Sequence, residues 1–436
     1  MGVILQHILG RVHVRSILSS PAISIVGRHN SGKTTLVERL IACLTSQGLD
    51  IGSVKHHGHI GFDIDIEGKD SYRHRAAGAT ETYIASPGQV AMVATIDGEV
   101  ECSDLVARMP GHDLVIVEGY RNSGLPVIEI MRAANPHDEE VAAAFYEASQ
   151  VGAALTNDFV QVARSRYRGT DEGWTLEEDL AQKAVGARTV AVATDIPEAV
   201  QAAAAYGIPA FDVNDIEGIA AFLREEFARD RMTVTIQAGG ESKRMGRSKA
   251  TVPFCGKPLI SRMVERLLPA ADELVITTNE PENLQFLLDE FPRVPLRLVR
   301  DDYDCRGALP GLATAFNAAS NPLVAIVACD MVFASPRLLA AEYDRIQACE
   351  ADACVPCNTH GFEPFHAVYR RDTCLAAARK LVDKGNRRAQ DLFDEVELEL
   401  FSQQEVLEAE PRGRCFINAN TPEELAEVEA IVREGC

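Results

Sequence analysis

Ile23-Ser24-Ile25-Val26-Gly27-Arg28-His29-Asn30-Ser31-Gly32-Lys33-Thr34-Thr35 is the stretch that decides the fold of the N-terminal half. A short apolar run that reads as a strand leads into a loop matching the P-loop pattern at every fixed position, and a helical pattern follows. In such a loop the backbone N–H groups surround a β-phosphate, the lysine reaches the β/γ oxygens and the threonine hydroxyl holds Mg²⁺. The sequence therefore predicts an α/β P-loop NTPase domain. The predicted nucleotide-binding residues are Gly27, Asn30, Ser31, Gly32, Lys33, Thr34 and Thr35, with Thr34 as the metal ligand.

Strand and helix patterns alternate through the rest of the N-terminal half, which is typical of an α/β sheet with helices on its faces. Apolar spacing predicts helices over residues 34–46, 139–154, 198–205 and 216–229, and strands at 83–85, 90–96, 114–117, 127–131 and 190–193. A new strand at residues 233–237 starts almost directly after the last helix. We therefore predict a first domain over residues 1–230 and a second α/β domain over residues 231–436.

The strand Leu114-Val115-Ile116-Val117 is followed by Glu118. A carboxylate at the end of a strand beside a P-loop can support the metal or position water. An acid that merely terminates a strand is the alternative, and the pairing with the P-loop favours a place for Glu118 in the nucleotide site.

Imidazoles and carboxylates cluster between residues 55 and 65, in the run Lys55-His56-His57-Gly58-His59 and at Asp63 and Asp65. Zinc is one interpretation of such a cluster. The spacing is not helical and no cysteine accompanies it, so a polar loop that faces the phosphates is the favoured interpretation.

A second glycine-rich loop covers residues 237–249, Gln-Ala-Gly-Gly-Glu-Ser-Lys-Arg-Met-Gly-Arg-Ser-Lys, and it follows the first strand of the second domain. Its glycines allow the backbone to approach a triphosphate closely, while Arg244 and Lys249 supply positive charge. A surface loop could carry the same basic residues. The position of the loop after the opening strand favours a second nucleotide site.

Asp330 ends another buried strand, in the run Val327-Ala328-Cys329-Asp330-Met331. A carboxylate at this place can hold Mg²⁺ against a triphosphate, and a solvated strand-end aspartate is the alternative. Near the C-terminus, Asn418 and Asn420 precede a Thr421-Pro422 helix start in which Glu424 can close a capping box. Capping does not explain the two asparagines.

Composition limits the classes of function. The chain has 436 residues, 46% of them hydrophobic and 25% charged, and a formal charge of −21. A surface this acidic repels a polyanion, and no basic stripe offsets it, so no nucleic-acid partner is expected. No apolar run is long enough to cross a bilayer, so no membrane association is expected. Eleven cysteines without a repeating pattern, including the single pair Cys354 and Cys357, favour reduced thiols and a cytoplasmic location.

The N-terminal half resembles the molybdopterin-guanine dinucleotide biosynthesis adaptor proteins of the MobB family. The resemblance rests on four segments in order: the P-loop, residues 55–59, the segment Asp70-Ser71-Tyr72-Arg73-His74-Arg75-Ala76-Ala77-Gly78-Ala79, and the strand end Glu118-Gly119-Tyr120-Arg121. It implies a GTP-binding P-loop domain with weak hydrolysis that assists a partner enzyme.

The C-terminal half resembles the molybdenum cofactor guanylyltransferases of the MobA family, over residues 232–436. Besides the loop and Asp330, the resemblance rests on residues 256–259, 307–312, 385–388 and 418–422. It implies a Rossmann-like nucleotidyltransferase fold. It also implies that Gln237, Ala238, Gly239, Gly240 and Lys249 hold the nucleotide phosphates, that Thr277 and Asp301 lie near guanine, that Asp330 binds Mg²⁺, and that Asn418 and Asn420 face the pterin or the metal. Three positions depart from the family pattern: Gln237 replaces leucine, Thr277 replaces asparagine and Glu363 replaces histidine.

Together the two resemblances imply a fused enzyme that transfers GMP from Mg·GTP to molybdopterin, with or without bound molybdenum, and releases pyrophosphate. Asp330, Lys249 and Arg244 would carry the catalysis. Molybdopterin-inserting proteins and molybdoenzymes would be further partners. The alternatives are a cytidylyltransferase acting on the same pterin, a non-catalytic GTP-dependent molybdopterin carrier and a sugar-phosphate nucleotidyltransferase.

Overall fold

The computed structural model describes residues 16–57, 66–155, 185–239, 248–359 and 361–434. The described residues form two compact units, one spanning Ser20–Ala228 and the other residues 229–434 together with residues 16–19. Both are α/β structures. No described helix is long and apolar enough to cross a bilayer.

Parallel strands build the sheet of the N-terminal unit. The described strands of this unit are β1 (Ala22–Val26), β2 (Ile51–Lys55), β3 (Glu81–Ser86), β4 (Gln89–Ala94), β5 (Leu114–Glu118), β6 (Val127–Met131), β7 (Thr189–Thr194) and β8 (Ala210–Phe211). Six of them form one sheet in the order β2-β5-β1-β6-β7-β8, and all neighbouring pairs are parallel. Strands β3 and β4 pair separately as an antiparallel hairpin.

Helices cover both faces of this sheet. Their described bounds are α1 (Lys33–Ser46), α2 (Asp70–Ala76), α3 (Cys102–Ala107), α4 (Pro136–Gln150), α5 (Pro197–Ala205) and α6 (Ile216–Glu226). All five residues of β5 are buried. Ile116 belongs to the apolar cluster that includes residues of α1, and the next residue, Val117, belongs to the cluster that includes residues of α3. This two-sided burial is why β5 reads as an unbroken apolar run.

Two of the predicted helices differ from the structure by more than one residue at an end. Helix α4 begins at Pro136 rather than 139, because the Asn135 side chain accepts a hydrogen bond from the N–H of His137 and Pro136 suits the first helical position. The helix ends at Gln150 rather than 154, and Gly152 beyond it has a left-handed backbone conformation with φ 63°. Helix α6 ends at Glu226 rather than 229. The predicted strand over 90–96 is also wrong at its end, since β4 stops at Ala94.

A mixed sheet forms the centre of the C-terminal unit. The described strands here are β9 (Met232–Gln237), β10 (Pro253–Phe254), β11 (Lys257–Pro258), β12 (Glu273–Thr278), β13 (Leu296–Arg300), β14 (Leu323–Ala328), β15 (Ala353–Asn358), β16 (Gly361–Phe362), β17 (His366–Arg370) and β18 (Leu398–Phe401). The sheet runs β13-β12-β9-β14-β17-β15-β16, with β18 beside β15. Strands β9, β12, β13 and β14 are parallel, whereas β17 is antiparallel to β14. The carboxyl ends of four parallel strands therefore share one edge, where open α/β sheets bind ligands.

The described helices of the C-terminal unit are α7 (Leu259–Leu267), α8 (Phe286–Glu290), α9 (Ala308–Ala318), α10 (Pro336–Gln347), α11 (Arg371–Asp383), α12 (Gln403–Ala409) and α13 (Pro422–Glu434). The predicted start of α13 is confirmed: the Glu424 N–H donates to Thr421 Oγ1 at 3.2 Å and the Glu424 carboxylate accepts from the Asn420 and Thr421 N–H groups. Cys354 is buried within β15, Cys357 is half-buried, and neither forms a disulfide, so a packing role is favoured for this pair.

A buried acid and histidine lie between α10 and β17. His366 Nδ1 is 3.2 Å from Glu342 Oε1, both side chains are inaccessible to solvent, and His366 Nε2 accepts the N–H of Ser335 at 3.0 Å. Because Nε2 is an acceptor here, the ring proton lies on Nδ1 and points at Glu342. Burial raises the pKa of Glu342 to about 7, although His366 opposes the shift.

This raised pKa predicts a pH-dependent stability. Glu342 loses its proton near its ordinary pKa of 4.5 in the unfolded chain but only near 7 in the folded chain. Between these two pH values the folded state binds more protons than the unfolded state, so the contribution of Glu342 to the free energy of unfolding falls as the pH rises. Relative to Glu342→Gln, the wild-type protein should lose up to about 3 kcal/mol between acidic and neutral pH. Urea unfolding of both proteins across this range measures the difference, and a constant difference would contradict the assignment.

Candidate nucleotide-binding sites

The P-loop after β1 has the tight backbone its sequence predicts. Asn30 and Gly32 lie in the left-handed region, at φ 65° and 86°. A Cβ atom at Gly27 would lie 2.6 Å from the carbonyl oxygen of Ile130 and 2.7 Å from its side chain. Gly27 is therefore needed for β1 to pass close to β6, and Gly32 lets the loop turn into α1.

Lys33 folds over this loop. Its ammonium donates to the carbonyl oxygens of Gly27 at 3.0 Å and Arg28 at 2.6 Å. Partial burial lowers the pKa of Lys33, and the nearby carboxylates of Glu118, Asp138 and Glu129 oppose that change. The ammonium is thus held at the mouth of the loop, where it can reach a phosphate by rotation of its flexible stem.

Thr34 and Glu118 meet as the sequence predicts. Thr34 Oγ1 donates to Glu118 Oε1 at 2.8 Å, and Lys55 Nζ lies 3.0 and 3.1 Å from the two carboxylate oxygens and 3.2 Å from Thr34 Oγ1. A hydroxyl and a carboxylate that already share one cation form an oxygen set suited to Mg²⁺. Lys55 thus lies beside Thr34 and Glu118, while His59, Asp63 and Asp65 of the same cluster lie outside the described residues.

A buried network behind the loop was not predicted from sequence. Ser31 Oγ donates to Asp138 Oδ1 at 2.9 Å, Asp138 also accepts the N–H of Arg132 at 3.0 Å, and Asn135 Nδ2 donates to the carbonyl of His29 at 3.1 Å. Asn135 and Asp138 belong to the start of α4, so this helix anchors the P-loop. Their only signal in the sequence is an Asn-Pro-x-Asp helix start, which reads as capping.

The C-terminal site brings together residues far apart in sequence. Lys249 Nζ donates to Asp330 Oδ2 at 3.0 Å and to Asn420 Oδ1 at 2.7 Å, and all three side chains lie at the strand tips. The Ala419 N–H donates to the Asp330 carbonyl at 3.0 Å, and Asn418 pairs with Met331. This pairing places Asn420 beside Asp330. A carboxylate and an amide oxygen that share an ammonium make a set that also suits Mg²⁺.

Polar residues also meet at the carboxyl ends of β9, β12 and β13. A Cβ atom at Gly239 would lie 2.4 Å from Asp301 Oδ2, and Asn279 Nδ2 donates to the Gly239 carbonyl at 2.7 Å. Burial, and secondarily Asp302, raises the pKa of Asp301. Asn279 is not among the residues that the sequence predicts for this site; its position directly after β12, at the end of a parallel strand, is the signal that could have pointed to it.

Thr277 and the first loop residues act through the backbone. The Thr277 side chain is buried, and its carbonyl accepts the Ala238 N–H at 2.8 Å. The Gln237 side chain lies against α9, where a Cβ at Gly311 would be 3.3 Å from Gln237 Oε1. At the start of the same helix, Gly307 packs on the backbone of Arg387, so the separate segments 307–312 and 385–388 are neighbours. Gly240 and Arg244, both predicted to hold phosphate, lie outside the described residues.

The described residues of the two sites do not form a metal cage made of protein side chains alone. Among the described residues, no three His, Cys, Asp or Glu side chains cluster in a way that could hold an ion; the zinc alternative is not tested by this, because His59, Asp63 and Asp65 lie outside those residues. Magnesium commonly uses one protein carboxylate together with substrate phosphates, which is what Glu118 and Asp330 each offer.

Two family models match the chain. Residues 22–151 match molybdopterin guanine dinucleotide synthesis protein B, and residues 234–400 match the MobA-like NTP transferase domain. A molybdenum cofactor guanylyltransferase of Desulfosudis oleivorans is 30% identical over 207 residues, which cover 47% of this chain and 98% of the relative. A probable guanylyltransferase of Natranaerobius thermophilus is 30% identical over 45% of this chain and 94% of the relative. The chain belongs to the molybdenum cofactor guanylyltransferase family.

The N-terminal match has a relative of its own. A probable molybdopterin-guanine dinucleotide biosynthesis adapter protein of Bacillus subtilis is 33% identical over 112 residues, which cover 26% of this chain and 65% of the relative. Both predicted resemblances are confirmed, as are the fold classes of the two halves. The chain thus joins an adapter-like P-loop domain to a nucleotidyltransferase of the guanylyltransferase family.

Proposed function

We propose that the C-terminal unit transfers GMP from GTP to molybdopterin, with or without bound molybdenum, and releases pyrophosphate. The observation that carries this proposal is the meeting of Lys249, Asp330 and Asn420 at the strand tips, beside the nucleotide loop that begins at Gln237. Family membership supports the nucleotidyl transfer, and the names of the relatives support the two substrates.

The reaction needs no side-chain nucleophile. A terminal phosphate oxygen of the pterin attacks the α-phosphorus of GTP, a new P–O bond forms, and the bond to the β-phosphate oxygen breaks so that pyrophosphate leaves with the electron pair. Lys249 neutralises negative charge on the phosphates, and the glycine loop aligns the triphosphate for in-line displacement. Arg244 is proposed to add a second positive charge, and Asn418 to face the pterin.

Asp330 and Asn420 would hold Mg²⁺ together with phosphate oxygens. Bound there, the ion would offset charge on the triphosphate and on the leaving pyrophosphate. Lys249 donates to the same oxygens of Asp330 and Asn420, which places its ammonium within reach of a phosphate bound beside them. Gly239, Asn279 and Asp301 would border the guanine.

For the N-terminal unit we propose GTP binding with weak hydrolysis. Lys33 would contact the β/γ-phosphates, Thr34 and Glu118 would support Mg²⁺, and Thr35 would follow the loop into α1. We place the boundary between the two functions at residue 230. Because adapter and enzyme are parts of one chain, each is present at a raised effective concentration near the other. We further propose a cytoplasmic location, supported by the unpatterned cysteines, and contact with molybdopterin-inserting proteins and recipient molybdoenzymes.

Incubation of the purified protein with molybdopterin and each nucleoside triphosphate, followed by mass analysis, tests the proposal. The expected product is the guanine dinucleotide, formed with one pyrophosphate per turnover. Preference for CTP would make the protein a cytidylyltransferase. Binding of pterin without pyrophosphate release would make it a carrier.

A further inference from the structure

A basic cavity lies in the C-terminal unit and contains none of the residues assigned to nucleotidyl transfer. It has a volume of about 990 Å³ and is bordered by α7, the start of α10, the loop before Cys415 and the end of α13. Its arginines are Arg262, Arg266, Arg337, Arg412 and Arg414. Such a concentration of guanidinium groups is unexpected in a chain with a formal charge of −21.

The cavity's own carboxylates are too few to balance its five arginines. The acids among its lining residues are Glu265 and Glu410. Glu265 accepts from the ammonium of Lys257, and Glu410 accepts from Ser335 Oγ at 2.9 Å. Among the described residues, the exposed side chains of Arg337, Arg412 and Arg414 have no hydrogen bond or ion pair. Three exposed guanidiniums thus remain available to an anion.

The other two arginines are held in place without a carboxylate. Arg266 donates to the backbone carbonyls of Ala334 and Phe333, and the Arg262 guanidinium lies 5.6 Å from the centre of the Phe254 ring. Partial desolvation lowers the pKa of Arg266; Glu410 opposes this shift, while Arg412 and Arg262 add to it by repulsion. The guanidinium groups are therefore close enough to repel one another, and a bound anion would relieve that repulsion.

Apolar side chains complete the cavity. Met263, Val332, Phe333 and Val432 line it between the arginines. The charges come from separate segments and surround a volume at the upper end of the range for small ligands, so a single phosphate would contact only part of the set. A long nucleic acid would bring many charges against an acidic surface. Arginines around an aromatic and aliphatic floor are instead typical of the centre of a protein interface.

We infer that this arginine cavity docks a short acidic segment of a partner protein, with carboxylates on the five arginines and a bulky apolar side chain on the floor. The inference does not depend on the proposed transfer reaction, because none of these residues belongs to the site around Asp330.

The test is fluorescence anisotropy with the full-length protein and a labelled short peptide of alternating Glu and Asp around one central Phe. Saturable binding is expected, and Arg337→Glu and Arg412→Glu should each weaken it about tenfold. Arg293→Glu is the matched control, since Arg293 is exposed in the same unit, has the same charge change and does not line the cavity. A peptide with Lys in place of the acids should bind the double variant Arg412→Glu/Arg414→Glu better than the wild type.

Equal weakening by Arg293→Glu would reduce the effect to overall charge and overturn the inference. The inference would also be overturned if the protein bound inorganic polyphosphate but did not bind the peptide, because that result would indicate a small-anion site. Thermal unfolding of each variant is expected to match the wild type, because the substituted side chains make no contact that the fold needs. Guanylyl transfer by Arg412→Glu should also be unchanged, which separates this test from that of the proposed function.

Discussion

Asp330→Asn is expected to reduce guanylyl transfer by about a thousandfold while leaving the fold intact, because the carboxylate supplies the negative charge of the proposed Mg²⁺ site and a neutral amide of the same shape does not. The substitution also weakens the attraction that holds Lys249 at 3.0 Å from this side chain. Pyrophosphate release from GTP and molybdopterin, measured over a range of Mg²⁺ concentrations, gives the rate and its metal dependence.

Asp289→Asn is the matched control for this change. Asp289 is exposed on α8 of the same unit. Its replacement by Asn removes the same charge, so the transfer rate of this variant should equal that of the wild type. Asp330 is about one quarter exposed, and its replacement should leave the unfolding temperature nearly unchanged. A variant with full activity and normal Mg²⁺ dependence would remove Asp330 from the mechanism.

Lys33→Ala is expected to reduce GTP hydrolysis by the N-terminal unit by roughly a hundredfold, because the ammonium that would neutralise the β/γ-phosphates is lost. The same variant should keep at least basal guanylyl transfer, since Asp330, Lys249 and Asn420 are unaltered. Phosphate release from GTP without pterin measures the first reaction, and dinucleotide formation measures the second.

Arg108→Ala serves as the control for the second experiment, because Arg108 is an exposed cation of the same unit outside the P-loop. It should hydrolyse GTP at the wild-type rate. If Lys33→Ala removes hydrolysis and transfer together, the two sites do not work independently. That result would contradict the two-site proposal as stated here.

Local sequence patterns were sufficient where the chemistry depends on neighbours in the chain. The P-loop, its flanking strand and helix, and the pairing of Thr34 with Glu118 follow from spacing, because parallel strands bring their carboxyl ends to one edge. The capping box at Thr421 is likewise local. Helix ends were less accurate, as at α4 and α6, because apolar spacing continues past the residues that stop a helix.

Contacts between segments that are distant in sequence could not be predicted from local patterns. Asp138 behind Ser31, Asn279 beside Gly239, and the His366–Glu342 pair each join residues from different elements. None belongs to a motif with fixed spacing. Their roles became visible only when the sheet order and the helix packing were known.

The sequence by itself determined two α/β halves and the family of each half, and it predicted two nucleotide loops, because these rest on short runs whose backbone and side-chain chemistry are set locally. Only the tertiary structure decided that Asn420 shares Lys249 with Asp330 and that five arginines from α7, α10 and the loop before Cys415 surround one cavity. The physical reason is that charge and packing act through space, and the distances across which they act are set by chain topology rather than by position along the chain.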